Sequence, residues 1–530
     1  AEYMGAVVVD VTNAMNWSHP FIPNHLQGHT FSLPFHFHIM LQIFLCLLIP
    51  FIISGYIFLW VPLRLQAHFR SKGVRGPNYR PIFGNSAEIH RLYSAAQTLP
   101  PSTSDHDVLH LLLPFYTKWY SKYGKTFLFW FGWRPRLAIS DPELIKHILL
   151  NTGTQSIDIL TRNPLTRLLF GEGLVSLRGD QWYFHRRIIS PAFHIERVKS
   201  WVPEIAAITD KMFQKWETLR EGVDTFEIEV EEQFHILSGD VIAKVAFGSS
   251  YEEGKKVFDL QQRLLLHVGQ SLRRVYTPGY RFLPTRTNRV VWKIDKEIHK
   301  LLRNLMAEKS DSNASNLLAL MMAEGKLKEQ DVIDECKTFF VAGKETTATL
   351  MSWVIFCLAV HQDWQEKVRE EALRVLPSSA LPSGAIISDL KILGLVINET
   401  LRLYPPAVML LRRAMIDIRV GELQVPEGTE FYLPLAAVHR DPQLWGDDAN
   451  CFNPARFGHP REYLAAFAPF SLGPRICVGQ NLAIVETKIV LAMILKRYSF
   501  VISPTYVHAP LPRVTLRPGH GMHIVVSILA

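Results

Sequence analysis

Long apolar stretches of helical character and one pair of short aromatic ones divide this chain. Ile39–Leu63 is apolar for about 25 residues, interrupted by Gln42 and a few small or proline residues, which exceeds the roughly 20 that span a bilayer. Lys125–Ser140 reads as a β hairpin: Phe127–Phe131 and Leu137–Ile139 flank a turn at Gly132–Pro135. From Pro142 onward amphipathic segments dominate, and Trp201–Ser315 reads as mostly helical. The longest helix is predicted over Asp331–His361. An apolar helix over Leu390–Leu403 stops at Tyr404-Pro405-Pro406, and a third long run spans Leu482–Leu495. Short strands are predicted at Ile418–Gln424 and Glu430–Leu435. The pattern describes a mainly α fold with a small β portion (α+β), behind one N-terminal apolar helix.

Two other readings of Ile39–Leu63 exist, a cleaved signal peptide and a buried core helix. A signal peptide places basic residues before its apolar run. Here Arg64, Arg70, Lys72, Arg75 and Arg80 follow it, and Ala1–His38 contains no Lys or Arg. The positive-inside rule then makes the run a signal anchor with the C-terminal side cytosolic and residue 1 lumenal. Asn16-Trp-Ser18 becomes a glycosylation sequon, and Asn313-Ala-Ser315 faces the wrong side. The chain divides into a short lumenal segment (1–38), the anchor (39–63), a basic, proline-rich hinge (64–85) and one large domain (86–530). Pro77 and Pro81 stiffen the hinge by fixing φ.

Composition narrows the partners. The chain has 530 residues, 48% of them hydrophobic, and a net charge of +8. No basic tract or nucleic-acid motif accompanies that charge, so it reads as a patch for a membrane face or an acidic protein partner, not a nucleic acid. The five cysteines (Cys46, Cys336, Cys357, Cys451 and Cys477) are odd in number and have no C-x-x-C spacing. That argues against a disulfide framework and against a zinc site.

The chemistry concentrates at Phe470–Gly479, F-S-L-G-P-R-I-C-V-G. Cys477 stands at the mouth of the Leu482–Leu495 helix, where free N–H groups and the dipole favour a thiolate. Gly473 and Gly479 permit positive φ and close approach by a flat ligand. Taken alone, a cysteine before an apolar helix is more often a small buried hydrophobe. Two further pairs have similar double readings. Trp182 and Arg186 share a helical face and can clamp carboxylates, or can be a helix with surface arginines. Glu399 and Arg402 lie at i and i+3 in an apolar helix, a spacing that is common by chance. Ala342-Gly343-Lys344-Glu345-Thr346-Thr347 places a glycine and threonines mid-helix, where the hydrogen-bond ladder is expected to open beside a ligand.

The spacing Phe-x-x-Gly-x-Arg-x-Cys-x-Gly resembles the cysteine loop of the cytochrome P450 family, and the other motifs fall in that family's order. The resemblance implies the cytochrome P450 fold and haem b, with Cys477 as the axial ligand of its iron. It implies that Phe470, Gly473, Arg475 and Gly479 form the cofactor loop, with Arg475 serving a propionate and a basic docking face. Trp182, Arg186 and Arg412 are expected on the propionates, Arg412 being favoured over Arg413. Ala342 and Gly343 lie against the cofactor, Thr346 orders water, and Glu345 relays protons. Thr347, about 100° further round the helix, is expected to point elsewhere. Glu399, Arg402 and Arg456 are implied as a structural triad. The Leu260–Arg274 region is implied to cap the pocket, and Val408–Leu411 to lie against substrate. His439 is expected at the surface.

No G-x-G-x-x-G follows a strand and no P-loop is present, so electrons must come from another protein. The resemblance supplies that partner as NADPH–cytochrome P450 reductase, with O2 as co-substrate, the endoplasmic reticulum membrane as location and a single-pass monomer as the state. Gly171-Glu-Gly-Leu-Val-Ser176, His185-Arg186-Arg187 and Pro191-Ala-Phe-His194 resemble the plant clan numbered seventy-two. That implies a lipophilic substrate of the steroid hormone, terpenoid, gibberellin, cytokinin or fatty acid class. Two rival functions are a haem-thiolate isomerase or dehydratase that needs no O2, and a non-catalytic haem sensor. Family members of the isomerase kind tend to lose the acid–threonine pair, which stands here as Glu345-Thr346.

Overall fold

A computed structural model describes residues 35–529, apart from 99–105, 161–162, 249–250, 270–274, 278, 310–315, 324–326, 378–379 and 461–462. The segment 1–34, both glycosylation sequons and the last five residues of Leu260–Arg274 lie outside the described residues.

Two compact units are distinguished, Ala1–Tyr56 and Ile57–Ala530. The first contains helix α1 (Phe35–Gly55), whose Phe44, Leu47, Phe51 and Ile52 are exposed. A π-helical turn, Tyr56–Trp60, follows α1 in sequence, and α2 (Val61–Ser71) belongs to the second. Cys46–Ser71 is long and apolar enough to cross a membrane.

In the second unit the sequence pattern becomes structure in recognisable ways. Strands β1 (Thr126–Phe131) and β2 (Arg134–Ile139) form the expected hairpin. The turn needs Gly132, at φ +63°, because a side chain is strained there. Helix α3 (Pro164–Phe170) follows β3 (Ile157–Ile159) and starts where Asn163 accepts a hydrogen bond from the Leu165 N–H at 2.9 Å, with Pro164 in the first turn. Helix α4 (Gly179–Ile189) carries the Trp182/Arg186 face. After β4 (Thr225–Glu229), α5 (Val230–Phe247) is capped by the Glu229 carboxylate, which accepts from the Glu231 and Glu232 N–H groups.

The central helix, α6 (Glu329–Val360), is buried on most sides from Val332 onward, as an apolar sequence without a polar stripe requires. It packs on α5, on α7 (Lys391–Leu403) and on the C-terminal α8 (Gln480–Arg497). Helix α6 is continuous through Ala342–Thr347, so the expected opening of its ladder does not occur. Gly343 is needed there for packing: an added Cβ would lie 2.8 Å from Ile242 of α5.

Strand β5 (Leu410–Ala414), beyond the Pro405-Pro406 stop, completes a five-stranded sheet with β8 (Glu430–Leu433), in the order β1-β2-β8-β5-β3. The single strand expected at 418–424 is instead a hairpin of β6 (Ile418–Val420) and β7 (Leu423–Val425), turned by Gly421 at φ +59°. Strand β9 (Tyr498–Ile502) joins β12 (His523–Ile528) and β4, and β10 (Pro510–Pro512) pairs with β11 (Leu516–Pro518). His439 is a further correction. It is fully buried, its Nε2 accepts from the Ala468 N–H at 3.3 Å, and burial lowers its pKa to about 3.

Candidate functional site

The loop before α8 is held by its own backbone. The Cys477 N–H donates to Phe470 O at 2.9 Å, and the Ile476 N–H to Gly473 O at 3.0 Å. Gly473 sits at φ +72°, and a Cβ there would come 2.6 Å from Leu149 O, so both conformation and space exclude a side chain. Gly479 differs from expectation. Its φ is −88°, which any residue adopts, and a Cβ there meets nothing within 4 Å.

The Cys477 sulfur is open to an internal cavity of about 940 Å³ although it lies deep below the outer surface. Burial raises the thiol pKa, while the Gly479 and Gln480 N–H groups and the Arg186 charge lower it. Burial is the larger of these effects, and a metal ion bound at the sulfur would displace its proton.

Three arginines and a tryptophan line the same end of the cavity. Arg186 of α4 donates from Nη1 to Ile476 O at 2.9 Å. Arg475 stacks over the Trp182 ring at 4.2 Å, donates to Leu177 O at 2.8 Å and pairs with Asp158 at 2.8 Å. Its buried Nε has no hydrogen-bond partner among the described residues. Arg412 of β5 donates from Nε to the Thr152 hydroxyl at 3.1 Å and from Nη2 to the Ser471 hydroxyl at 3.2 Å. Burial lowers the pKa of Arg412 and of Arg475 to about 10, and each guanidinium sits among others of like charge. Arg413 does not line the cavity.

This arrangement fits a flat iron porphyrin with two carboxylates. A sulfur faces the cavity, Gly479 leaves open space beside it, and an excess of buried cations includes one orphaned N–H aimed at no protein acceptor. Burying such charges without anionic partners is costly. Two propionates would offset that cost with charge-assisted hydrogen bonds.

Opposite the loop, Ala342, Gly343, Thr346 and Thr347 of α6 line the cavity. Thr346 faces the open space and its hydroxyl donates to Ala342 O at 2.7 Å. Thr347, expected to point away, lines the cavity too. Glu345 does not. Its carboxylate is buried on the far side of α6, 3.2 Å from Arg517 Nη2 and 3.7 Å from His235 Nδ1, and Arg517 also pairs with Glu231 at 3.3 Å. Burial lowers the His235 pKa to about 3, so the imidazole is neutral.

Beneath the loop, Arg402 forms two hydrogen bonds to Glu399 at 2.7 and 2.8 Å, and Arg456 reaches the same carboxylate at 3.1 Å. Arg402 also donates to His439 O and Cys451 O, and the Asn453 N–H donates to Glu399.

Sequence reasoning missed several residues of the site. Asp158 sits in Ile-Asp-Ile and meets an arginine far along the chain; only its lone charge in an apolar strand signalled it. Thr152 and Ser471 gave no signal. Val275, Tyr276 and Ile242 form walls that periodicity does not assign to a pocket, while Met409, Leu410 and Leu411 of the expected substrate stretch do line it.

Residues 108–525 match the family Cytochrome P450. The chain is similar to Cytochrome P450 734A6 of Oryza sativa subsp. japonica, 44% identical over 497 residues, covering 88% of this chain and 92% of that protein. Cytochrome P450 734A1 of Arabidopsis thaliana is 42% identical over 481 residues, covering 88% and 92%. Cytochrome P450 709B1 of Arabidopsis thaliana is 38% identical over 519 residues, covering 92% and 99%.

Proposed function

Because the chain belongs to the cytochrome P450 family and is a haem-thiolate monooxygenase that uses O2, a lipophilic substrate and a redox partner, we propose the following finer reading of it. The cofactor is haem b and Cys477 is its ligand. The observation that carries this is the Cys477 sulfur at one end of a cavity of about 940 Å³, beside Trp182 and three arginines. Thiolate-held haem supplies reductive activation of O2, so that one oxygen atom enters the substrate and the other leaves as water at the expense of two electrons and two protons.

The chain's residues do the rest. Trp182, Arg186, Arg412 and Arg475 hold the propionates, and Phe470, Gly473 and Gly479 shape the loop around the sulfur. Ala342 and Gly343 leave room on the opposite face. The Thr346 hydroxyl holds a proton donor in the cavity. Glu345, on the outer side of α6, relays protons, with Arg517 and His235 packed against its carboxylate. Glu399, Arg402 and Arg456 brace the loop from below. The substrate belongs to the steroid hormone, terpenoid, gibberellin, cytokinin or fatty acid class, and apolar walls such as Phe131, Phe193, Phe339 and Met409 suit such bodies. Electrons come from NADPH–cytochrome P450 reductase. The apolar N-terminal helix suggests a membrane anchor; we assign it, as residues 39–63, to the endoplasmic reticulum, with a hinge at 64–85 and the monomeric domain 86–530 in the cytosol.

The test is coupling. A positioned proton donor contributes about 10²–10⁴-fold to a transfer step. Thr346→Ala should keep haem, substrate affinity and NADPH consumption while diverting turnover to hydrogen peroxide. An isomerase or a sensor consumes no oxygen and would show no such diversion. Wild-type coupling in Thr346→Ala would remove the role from this residue.

A further inference from the structure

Three guanidiniums line the inner end of the cavity, those of Arg186, Arg412 and Arg475, and a fourth, that of Arg178, acts on Arg475 from behind the lining. Of the charges that act on Arg178, Arg412 and Arg475, Asp158 is negative, while Arg167, Arg186 and Arg413 are positive. Asp158 lies on β3, whose partner strand β5 carries Arg412 opposite Ile159 and Arg413 opposite Asp158. Its Oδ1 accepts from the Ile159 N–H at 2.7 Å and from Arg475 Nη2 at 2.8 Å. Both side chains of the pair are about 5% exposed. Arg178 is tied to the same strand, donating to Ile159 O at 2.5 Å.

A buried ion pair is weak evidence of stabilisation, since an apolar pair of similar size often packs as well. What this pair does supply is position and field. It fixes Arg475 over the Trp182 ring, and it sets the net charge. Asp158 is a single negative charge among at least four guanidiniums, so the cluster stays positive and two propionates would reduce that excess. Adding an electron to iron in that setting is easier the more positive the surroundings.

We propose that Asp158 is a positioning residue for the haem: it locks Arg475 against the propionate end of the cavity, and its negative charge holds down the reduction potential of the bound iron. The proposal rests on the haem reading above. Asp158 touches no reacting atom; it acts through Arg475 and through charge.

The experiment is a potentiometric titration of the ferric/ferrous couple in the purified holoprotein and its Asp158→Asn, Asp158→Glu, Arg178→Gln and Asp158→Asn/Arg178→Gln variants. Asp158→Asn should raise the midpoint, changing the ferric-to-ferrous ratio at fixed potential about three- to tenfold, or about 30–60 mV at 59 mV per tenfold. Arg178→Gln should lower it. The double variant should return close to wild type, and Asp158→Glu should stay there. An Asp158→Asn holoprotein with full haem content and the wild-type midpoint would overturn the proposal, as would a midpoint that Arg178→Gln leaves unmoved. Should Asp158→Asn not retain haem, retention by the double variant supports charge balance, and loss in both reduces Asp158 to a packing role and overturns it. Failure of the haem reading would show separately, as a wild-type protein without the red-shifted carbonyl band of a thiolate-held haem.

Discussion

Two groups of buried arginines lie on either side of the cysteine loop, and they are satisfied in opposite ways. Beneath it, Arg402 and Arg456 share the Glu399 carboxylate, and backbone carbonyls take most of the remaining donors. Every strong charge in that knot finds its partner within the chain. On the cavity side, Arg186, Arg412 and Arg475 have, among the described residues, one carboxylate between them, Asp158, and Arg475 keeps an Nε without a partner there. Arg402 of the first group and Arg412 of the second are both buried, so burial alone does not distinguish the two. Supply of counter-charge does. A closed set holds the fold, and an open set is built for an anion that arrives from outside.

The sharpest way to break this contrast is at the closed knot. Glu399→Ala or Arg402→Ala leaves a fully buried charge unpaired, at about 3–5 kcal/mol, and should abolish folded, haem-containing protein. Normal haem per protein in either variant would show that the knot is not closed by need. At the open cluster the expected effect is smaller and different in kind. Arg412→Met removes one of two neighbouring like charges and keeps the volume, so helical circular dichroism should persist. Haem transfer to an acceptor protein should become about 10–100-fold faster, the worth of a charged hydrogen bond. Loss of the fold in Arg412→Met would place Arg412 with the closed set.

The smallest effect concerns Glu486, a buried carboxyl whose one hydrogen-bond partner among the described residues is Ser238 Oγ, at 2.7 Å. Burial raises its pKa from the ordinary carboxyl value of about 4.5 to about 8. The native state then holds a proton that the unfolded chain has released, so stability falls as pH rises from about 4.5 to about 8 and is level above. Glu486→Gln keeps a neutral group at every pH. Its melting temperature should therefore gain on wild type across that window and hold the gain above it. A difference independent of pH would show that Glu486 does not stay protonated.

How much of this was legible in the sequence follows the range of each interaction. The hairpin at 126–139, the central helix and the loop around Cys477 rest on local spacing and stood out. So did Trp182/Arg186 and Glu399/Arg402, because partners three or four apart share a helical face. Arg475 and Asp158 are 317 positions apart, and no periodicity links them. Glu345 and Thr346 are adjacent in sequence, yet about 100° of helical rotation puts one behind α6 and the other in the cavity. Thr347 was misjudged by the same arithmetic, since the cavity is wider than one helical position. His439 looked like a loop residue because its burial depends on contacts with Ala468 and Phe467 that lie well downstream.

Everything turns on which sulfur faces the iron, and the reduced carbonyl spectrum reads that directly. Wild-type protein should show the red-shifted Soret band of a thiolate-held haem, and Cys477→His should lose it. An unchanged band in Cys477→His would contradict the account and send the search to Cys336, Cys357 or Cys451.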